Sequence, residues 1–270
     1  MERRTIGKAI RIKGVGLHRG REVEVRLRPS HDGIVFSREG VLIPATLEHV
    51  VDTRLNTTLG KEGRTIATVE HLMSALAALG ITDCAITVEG DEMPAMDGSS
   101  LPFFEHLRFA GIEVLGNVAP IEVTEALRVS AGDAWIEASP GAFAIEYSID
   151  FPDAAIGRQS LAFTGEDYAG LIAPARTFGR LKDVEMMRSM GLALGGGLHN
   201  AVVVDGDAVL NPEGLRFADE FIRHKVLDCL GDLWLLGRPL TASIRAHKAN
   251  HGLHVALARR IREQANLGGR

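Results

Sequence analysis

The chain has 270 residues, 46% hydrophobic and 24% charged, which suits one large folded domain or two small ones and excludes wholesale disorder. Aromatic residues make up only 5%, so an aliphatic core is expected and a stacking platform for single-stranded nucleic acid is not. A net charge of −5 argues against a non-specific grip on a phosphate backbone, while leaving room for a local basic pocket for a small phosphorylated ligand.

Taken in chain order, "TIGKAIRIKGVGLHRG" reads as a strand ending in a Gly-rich turn, and "REVEVRLRP" alternates as a half-buried strand. "IVFSR" and "VLIPATLEHV" read as further short strands. Thr65 to Gly80 is predicted as a helix with Leu72, Ala75, Leu76 and Leu79 on its apolar stripe and Gly80 as its stop. The strand "CAITVEG", an acidic loop and the helix "LPFFEHLRFAGI" follow. Residues 116–120 read as a linker, after which the pattern restarts with strand, Gly-Asp turn and alternating strand. The helix "DEFIRHKVLDCLGDLWLLG" and the strand "PLTASIRAHKANH" repeat the helix–Gly–strand order of the first half. The expectation is therefore α+β, with two similar halves at residues 1–117 and 118–270 and an insertion at about 178–209.

Neither Cys84 nor Cys229 sits in a CxxC pair, so both are expected as small core residues in a reducing compartment. The first residues lack a signal peptide's apolar segment, and no run approaches 18 apolar residues. The spacings of "GVGLHRG" do not match a dinucleotide-binding loop, and neither a P-loop nor a G-x-S-x-G elbow is present. "LGGGL" at 194–198 marks a strained turn or a place where backbone approaches a ligand.

His224, Asp228 and Asp232 are spaced i, i+4, i+8 and share one helix face. An imidazole and a carboxylate one turn apart can close on one metal ion. By itself this face reads more plainly as solvated, with a single His–Asp pair. Glu70-His71 on the earlier helix could border the same cavity, or be an ordinary half-exposed pair. Together the helices offer two His and one Asp, a catalytic zinc set, with a spare Glu as base. The cluster His247, His251 and His254 reads as surface histidines or as the source of a general acid partnered by Asp232.

Seven stretches in order carry a wider resemblance: "GVGLHRGREVEVRLRP", "TVEHLMSALAALGI", "EMPAMDGSSLPF", "ARTFG", "GLALGGGLHNAVVV", "VLNPEGLRFADEFIRHKVLDCLGDLWLLG" and "HKANHGL". The chain resembles the UDP-3-O-acyl-N-acetylglucosamine deacetylases, zinc amidases of lipid A synthesis in Gram-negative bacteria. The resemblance implies His71, His224 and Asp228 as zinc ligands, with ferrous iron also suited to that set. It implies Glu70 as general base, His251 as general acid, Asp232 as the carboxylate holding His251, and Thr177 as the oxyanion's hydrogen-bond donor. Lys225 and Asp183 match polar residues of the substrate region. The family fold is two sheet/helix layers packed helix-to-helix, with a βαβ insertion in the second forming an acyl passage. Phe178, Leu181, Val184, Ala193 and Leu198 would contribute here.

The resemblance further implies a cytoplasmic monomer acting on an acylated UDP-sugar, with no nucleic-acid partner and at most transient membrane contact. The chain departs from the family pattern in places: Arg180 replaces an apolar residue, His254 an amide and Asn56 a common cysteine, and the loop "DAAIGRQS" lacks a His-Pro often found before Ala-Ile. A nucleotide phosphoesterase is the competing enzyme class, but it usually needs two metals and more carboxylates. A non-catalytic nucleotide-sugar or RNA-binding module is the other alternative. The acidic charge and the Glu70/His251 pair argue against it.

Overall fold

A computed structural model describes residues 1–265; the last five residues of the second predicted half lie outside the described residues. The fold is α+β. Among the described residues the α-helices are α1 (Glu70–Ala78), α2 (Leu101–Ala110), α3 (Tyr168–Leu171), α4 (Leu181–Ser189), α5 (Glu220–Leu233) and α6 (His251–Gln264).

Two five-stranded sheets share one strand order. In the first, the order is Ile10–Val15, Glu22–Arg28, Cys84–Glu89, Ile34–Arg38 and Val41–Pro44. In the second it is Leu127–Ala131, Ala134–Ser139, Ser243–His247, Ala144–Asp150 and Arg158–Phe163. Each sheet's last strand in sequence occupies its centre, antiparallel to the second strand and parallel to the third. The repeat visible in the order of elements thus extends to the strand pairing.

The helix predicted from Thr65 begins only at Glu70. Arg64–Ile66 instead pairs with Thr58–Lys61, and Thr68 has φ +60°. The β-branched run Thr65, Ile66, Thr68, Val69 favours extended backbone, whereas "EHLMSALAA" contains no β-branched residue. Gly80 does stop the helix, at φ +64°. Nine residues are too few for an isolated helix, so α1 owes its stability to burial. It packs against α5, and one continuous hydrophobic core runs through both sheets and this helix pair.

Gly231 of α5 makes that crossing close. A Cβ there would sit 2.1 Å from the Glu70 carbonyl oxygen. The predicted linker at 116–120 begins later than expected, because Ile112–Asn117 pairs with Glu2–Ile6. Residues 178–209 form a three-stranded sheet in which Phe178–Arg180 and Val202–Asp205 run parallel, joined through α4. The glycines of "LGGGL" meet backbone of the same chain. Gly195 N–H donates to the Leu17 carbonyl at 3.0 Å, and a Cβ on Gly195 would lie 2.2 Å from the Gly16 oxygen. Among the described residues, no helix is long and apolar enough to cross a membrane.

Candidate active site

The α1–α5 crossing brings Glu70 and His71 against His224, Asp228 and Asp232, all buried. His224 Nδ1 donates to the Ala175 carbonyl at 3.0 Å, which leaves its Nε2 lone pair facing Asp228 Oδ1 at 3.3 Å. His71 Nε2 lies 3.9 Å from the same oxygen. Burial lowers the pKa of His71 to about 3 and pulls His224 down as well, so both rings are neutral. Burial opposes ionisation of Asp228, but the Lys225 ammonium outweighs it and the carboxyl is held far below the usual range.

Lys225 Nζ donates to Asp228 Oδ2 at 2.9 Å, whereas buried Oδ1 has no hydrogen-bond partner. A buried carboxylate oxygen without a donor is costly. Here it faces two imidazole nitrogens able to offer only lone pairs. Donor atoms of His71, His224 and Asp228 all lie within 4.8 Å of one another, and two N donors and one O donor suit a catalytic dication.

Two buried titratable groups, Glu70 and His251, flank this set. Burial raises the Glu70 pKa to about 8, and its Oε2 accepts from the Thr57 N–H at 3.0 Å. His251 is the first residue of α6, whose Asn250 cap accepts from the Leu253 N–H. The strand predicted over "PLTASIRAHKANH" stops at His247 instead of running on to His251. Burial and the helix N-terminus both oppose a cation there. The Asp232 carboxylate prevails and raises its pKa to about 9. His251 Nδ1 donates to Asp232 Oδ2 at 2.8 Å, and Nε2 points towards Asp228, 4.0 Å from Oδ2. His254 Nδ1 takes the same Asp232 oxygen at 2.8 Å, so the residue replacing an amide is a buried partner of Asp232.

A cavity of about 350 Å³ opens over these groups. Glu70, His71, His224, Asp228 and His251 form part of its wall, and Thr177, Phe178, Asp183 and Lys225 are brought to it as well. Leu181, Val184, Ala193 and Leu198 do not line it. Leu198 is exposed, and Ala193 is buried at φ +53°. Arg180 is in the wall, with Nε donating to Asp183 Oδ2 at 2.6 Å and Nη1 3.5 Å from Asp153. Its charge is matched by these two carboxylates, of which Asp183 lies in the wall.

The sequence reading passed over Arg176. Fully buried, it clamps both oxygens of Glu220 at 2.8 and 3.1 Å and so ties the Ala175–Thr177 segment to the start of α5. Its only local signal was a charged pair within two candidate motifs. Ser100, left without a role, donates to the His71 carbonyl at 2.7 Å and so steadies α1.

The chain matches the family model of the UDP-3-O-acyl N-acetylglycosamine deacetylases (LpxC) over residues 3–263. It belongs to this family. Three curated relatives carry the name UDP-3-O-acyl-N-acetylglucosamine deacetylase. The Myxococcus xanthus protein is 46% identical over 270 residues, 96% of this chain and 85% of the relative. That of Acidithiobacillus ferrooxidans is 46% identical over 275 residues, covering 97% and 90% of the two chains. The Leptospira biflexa protein is 43% identical over 275 residues, covering 98% and 91%. The deacetylase family is metal-dependent, in accord with the His71, His224 and Asp228 cluster.

Proposed function

We propose that this protein hydrolyses the 2-acetamide of UDP-3-O-(3-hydroxyacyl)-N-acetylglucosamine in lipid A biosynthesis. The products are acetate and a free 2-amino sugar that keeps the UDP and the acyl chain. The observation that carries this reading is the unpartnered Asp228 Oδ1 facing two neutral imidazoles, between a buried carboxylate and a carboxylate-held histidine.

His71, His224 and Asp228 would hold the metal, with zinc as the ion. When bound, zinc supplies a Lewis acid that polarises a carbonyl and lowers the pKa of water from about 15.7 to about 7. Glu70 orients the attacking water and takes its proton. Thr177 donates to the oxyanion that forms at the acetamide carbonyl, a charge that preorganised donors stabilise strongly. His251 passes a proton from Nε2 to the leaving amine, and Asp232 holds the imidazolium's other nitrogen. Lys225 fixes Asp228 through Oδ2, so that Asp228 would be held in place as a ligand.

The chain is organised as two α+β domains, 1–117 and 118–270, meeting through their helices, with 178–209 as an insertion in the second. The shared strand order and the α1–α5 contact support this division. Asp183 and Phe178 meet the sugar nucleotide and the start of the acyl chain, and Leu181, Val184, Ala193 and Leu198 take the chain beyond the cavity. The protein works as a cytoplasmic monomer, without nucleic acid, touching a membrane only transiently.

The test is mass-spectrometric turnover of UDP-sugars of graded acyl length, with and without chelator and zinc add-back. Acetate release that is lost on chelation and restored by zinc is expected. Phosphate release without acetate, or a Glu70→Ala variant turning over at the wild-type rate, overturns the assignment.

A further inference from the structure

Thr57 lies in the short connection between Val50–Asp52 and Thr58–Lys61 and is completely buried. It makes three hydrogen bonds, each to a group that sets the geometry of the site. Its N–H donates to Glu70 Oε2 at 3.0 Å. Its carbonyl accepts from the N–H of Val69, the residue before α1, at 3.2 Å. Its hydroxyl donates to Asp232 Oδ1 at 2.5 Å, reaching a residue 175 positions away on α5. One small residue therefore touches both the carboxylate beside the metal ligands and the carboxylate that holds His251.

The partners of Asp232 show what the hydroxyl adds. Oδ2 accepts from His251 Nδ1 and His254 Nδ1, both at 2.8 Å. Oδ1 accepts from Thr57 Oγ1. A carboxylate held through one oxygen can still rotate about its Cβ–Cγ bond, because that torsion has only broad, shallow wells. The Thr57 hydroxyl fixes the second oxygen and hence the plane. The His251 ring, bonded to that plane, inherits its orientation. The β-branched threonine restricts its own χ1, so the donor is aimed before the carboxylate arrives.

We propose that Thr57 is a positioning residue that aligns the Glu70 and Asp232 carboxylates with each other and so sets the distance between the base and acid arms of the reaction. The proposal rests on the assignment of Glu70 as base and of Asp232 as holder of His251.

Thr57→Val is the incisive substitution. It preserves the shape and both backbone hydrogen bonds and removes only the donor to Asp232. Expected is a fall in kcat of about 10- to 100-fold, as for small misplacements of catalytic groups. KM should stay within about twofold and bound zinc per chain should stay unchanged, because nothing in the metal set is touched. Thr57→Ser retains the hydroxyl and should keep kcat within about threefold of wild type. In an Asp232→Asn background the valine substitution should change kcat by less than about twofold, since coupled residues are not additive.

A purely structural threonine would lower Tm while leaving kcat per folded, zinc-containing molecule intact, and that result overturns the proposal. So does an effect in the Asp232→Asn background as large as that in wild type. If the valine variant does not fold, Thr57→Cys, similar in size but a weaker donor, decides. A reduced kcat supports the role and a wild-type kcat overturns it. Glu70→Gln and Asp232→Asn serve as reference variants. Wild-type kcat in either removes the underlying assignment and Thr57's role with it. A fall in both with an unchanged Thr57→Val refutes Thr57 alone.

Discussion

Replacing Gly231 by alanine separates two opposing effects on α5. Helix propensity favours alanine over glycine by about 1 kcal/mol in a helix interior. Packing opposes it. The new Cβ would lie 2.1 Å from the Glu70 carbonyl oxygen and 2.9 Å from its carbonyl carbon, both backbone atoms of α1. Reaching an ordinary contact of 3.4 Å requires the helices to part by about 1.3 Å at that point. Overpacking of this kind costs about 1–3 kcal/mol, enough to outweigh the propensity gain. The larger effect falls on the site. His71 rides on α1, while His224 and Asp228 ride on α5, and metal–ligand distances tolerate only about 0.2 Å. Zinc affinity should fall at least about 100-fold, and turnover at fixed zinc by a similar factor. Competition against a chromophoric chelator measures the first, mass-spectrometric turnover the second, and melting of zinc-free protein the packing cost. A Gly231→Ala protein that binds zinc within about threefold of wild type and melts at or above it would refute the close-crossing argument.

Three further outcomes are expected. Burial raises the pKa of Glu220, but hydrogen bonds from Arg176 outweigh this and the net shift is downward. Its stabilising contribution should be fully present above the unfolded carboxyl pKa of about 4.3 and lost as pH falls through the lower folded value. Urea unfolding from neutral to acidic pH should show Glu220→Gln destabilised by about 3 kcal/mol at neutral pH, with a flatter acid limb; an unchanged acid limb would count against it. Zinc at about 100 times its Kd should stabilise the folded chain by about 2.7 kcal/mol over chelated protein, and His71→Ala should abolish most of that gain, as read from melting curves. Arg180→Leu frees Asp153 and the cavity-lining Asp183 and should shift the ratio of kcat/KM between long and short acyl chains several-fold; an unchanged ratio would place Arg180 outside acyl selection.

Helical spacing put His224, Asp228 and Asp232 on one face, but that face alone read more plainly as solvated, and Glu70-His71 alone as an ordinary half-exposed pair. Only the family resemblance joined them into a candidate site. What tied these pieces together was not legible. Thr57 and Gly231 act on residues from the other half of the chain, and no periodicity encodes a bond that spans 175 residues. The start of α1 was placed at Thr65, ahead of its actual start at Glu70. The ladder to Thr58–Lys61 and the left-handed Thr68 decide otherwise. Likewise, the order of elements revealed the repeat, but pattern alone could not put each last strand at the centre of its sheet.

That central placement has a kinetic consequence. Ser243–His247 must enter between strands laid down about a hundred residues earlier, and long loop closures of this kind are slow. Until it enters, Ala134–Ser139 and Ala144–Asp150 present open edges towards each other, the arrangement most prone to pair with another chain. His251 follows this strand by four residues, whereas His71, His224 and Asp228 all precede it. On the proposed roles, the refolding chain should gain its affinity for metal before it gains a proton donor. Metal uptake and the return of turnover then become two separate clocks, and the interval between them times the arrival of a single strand.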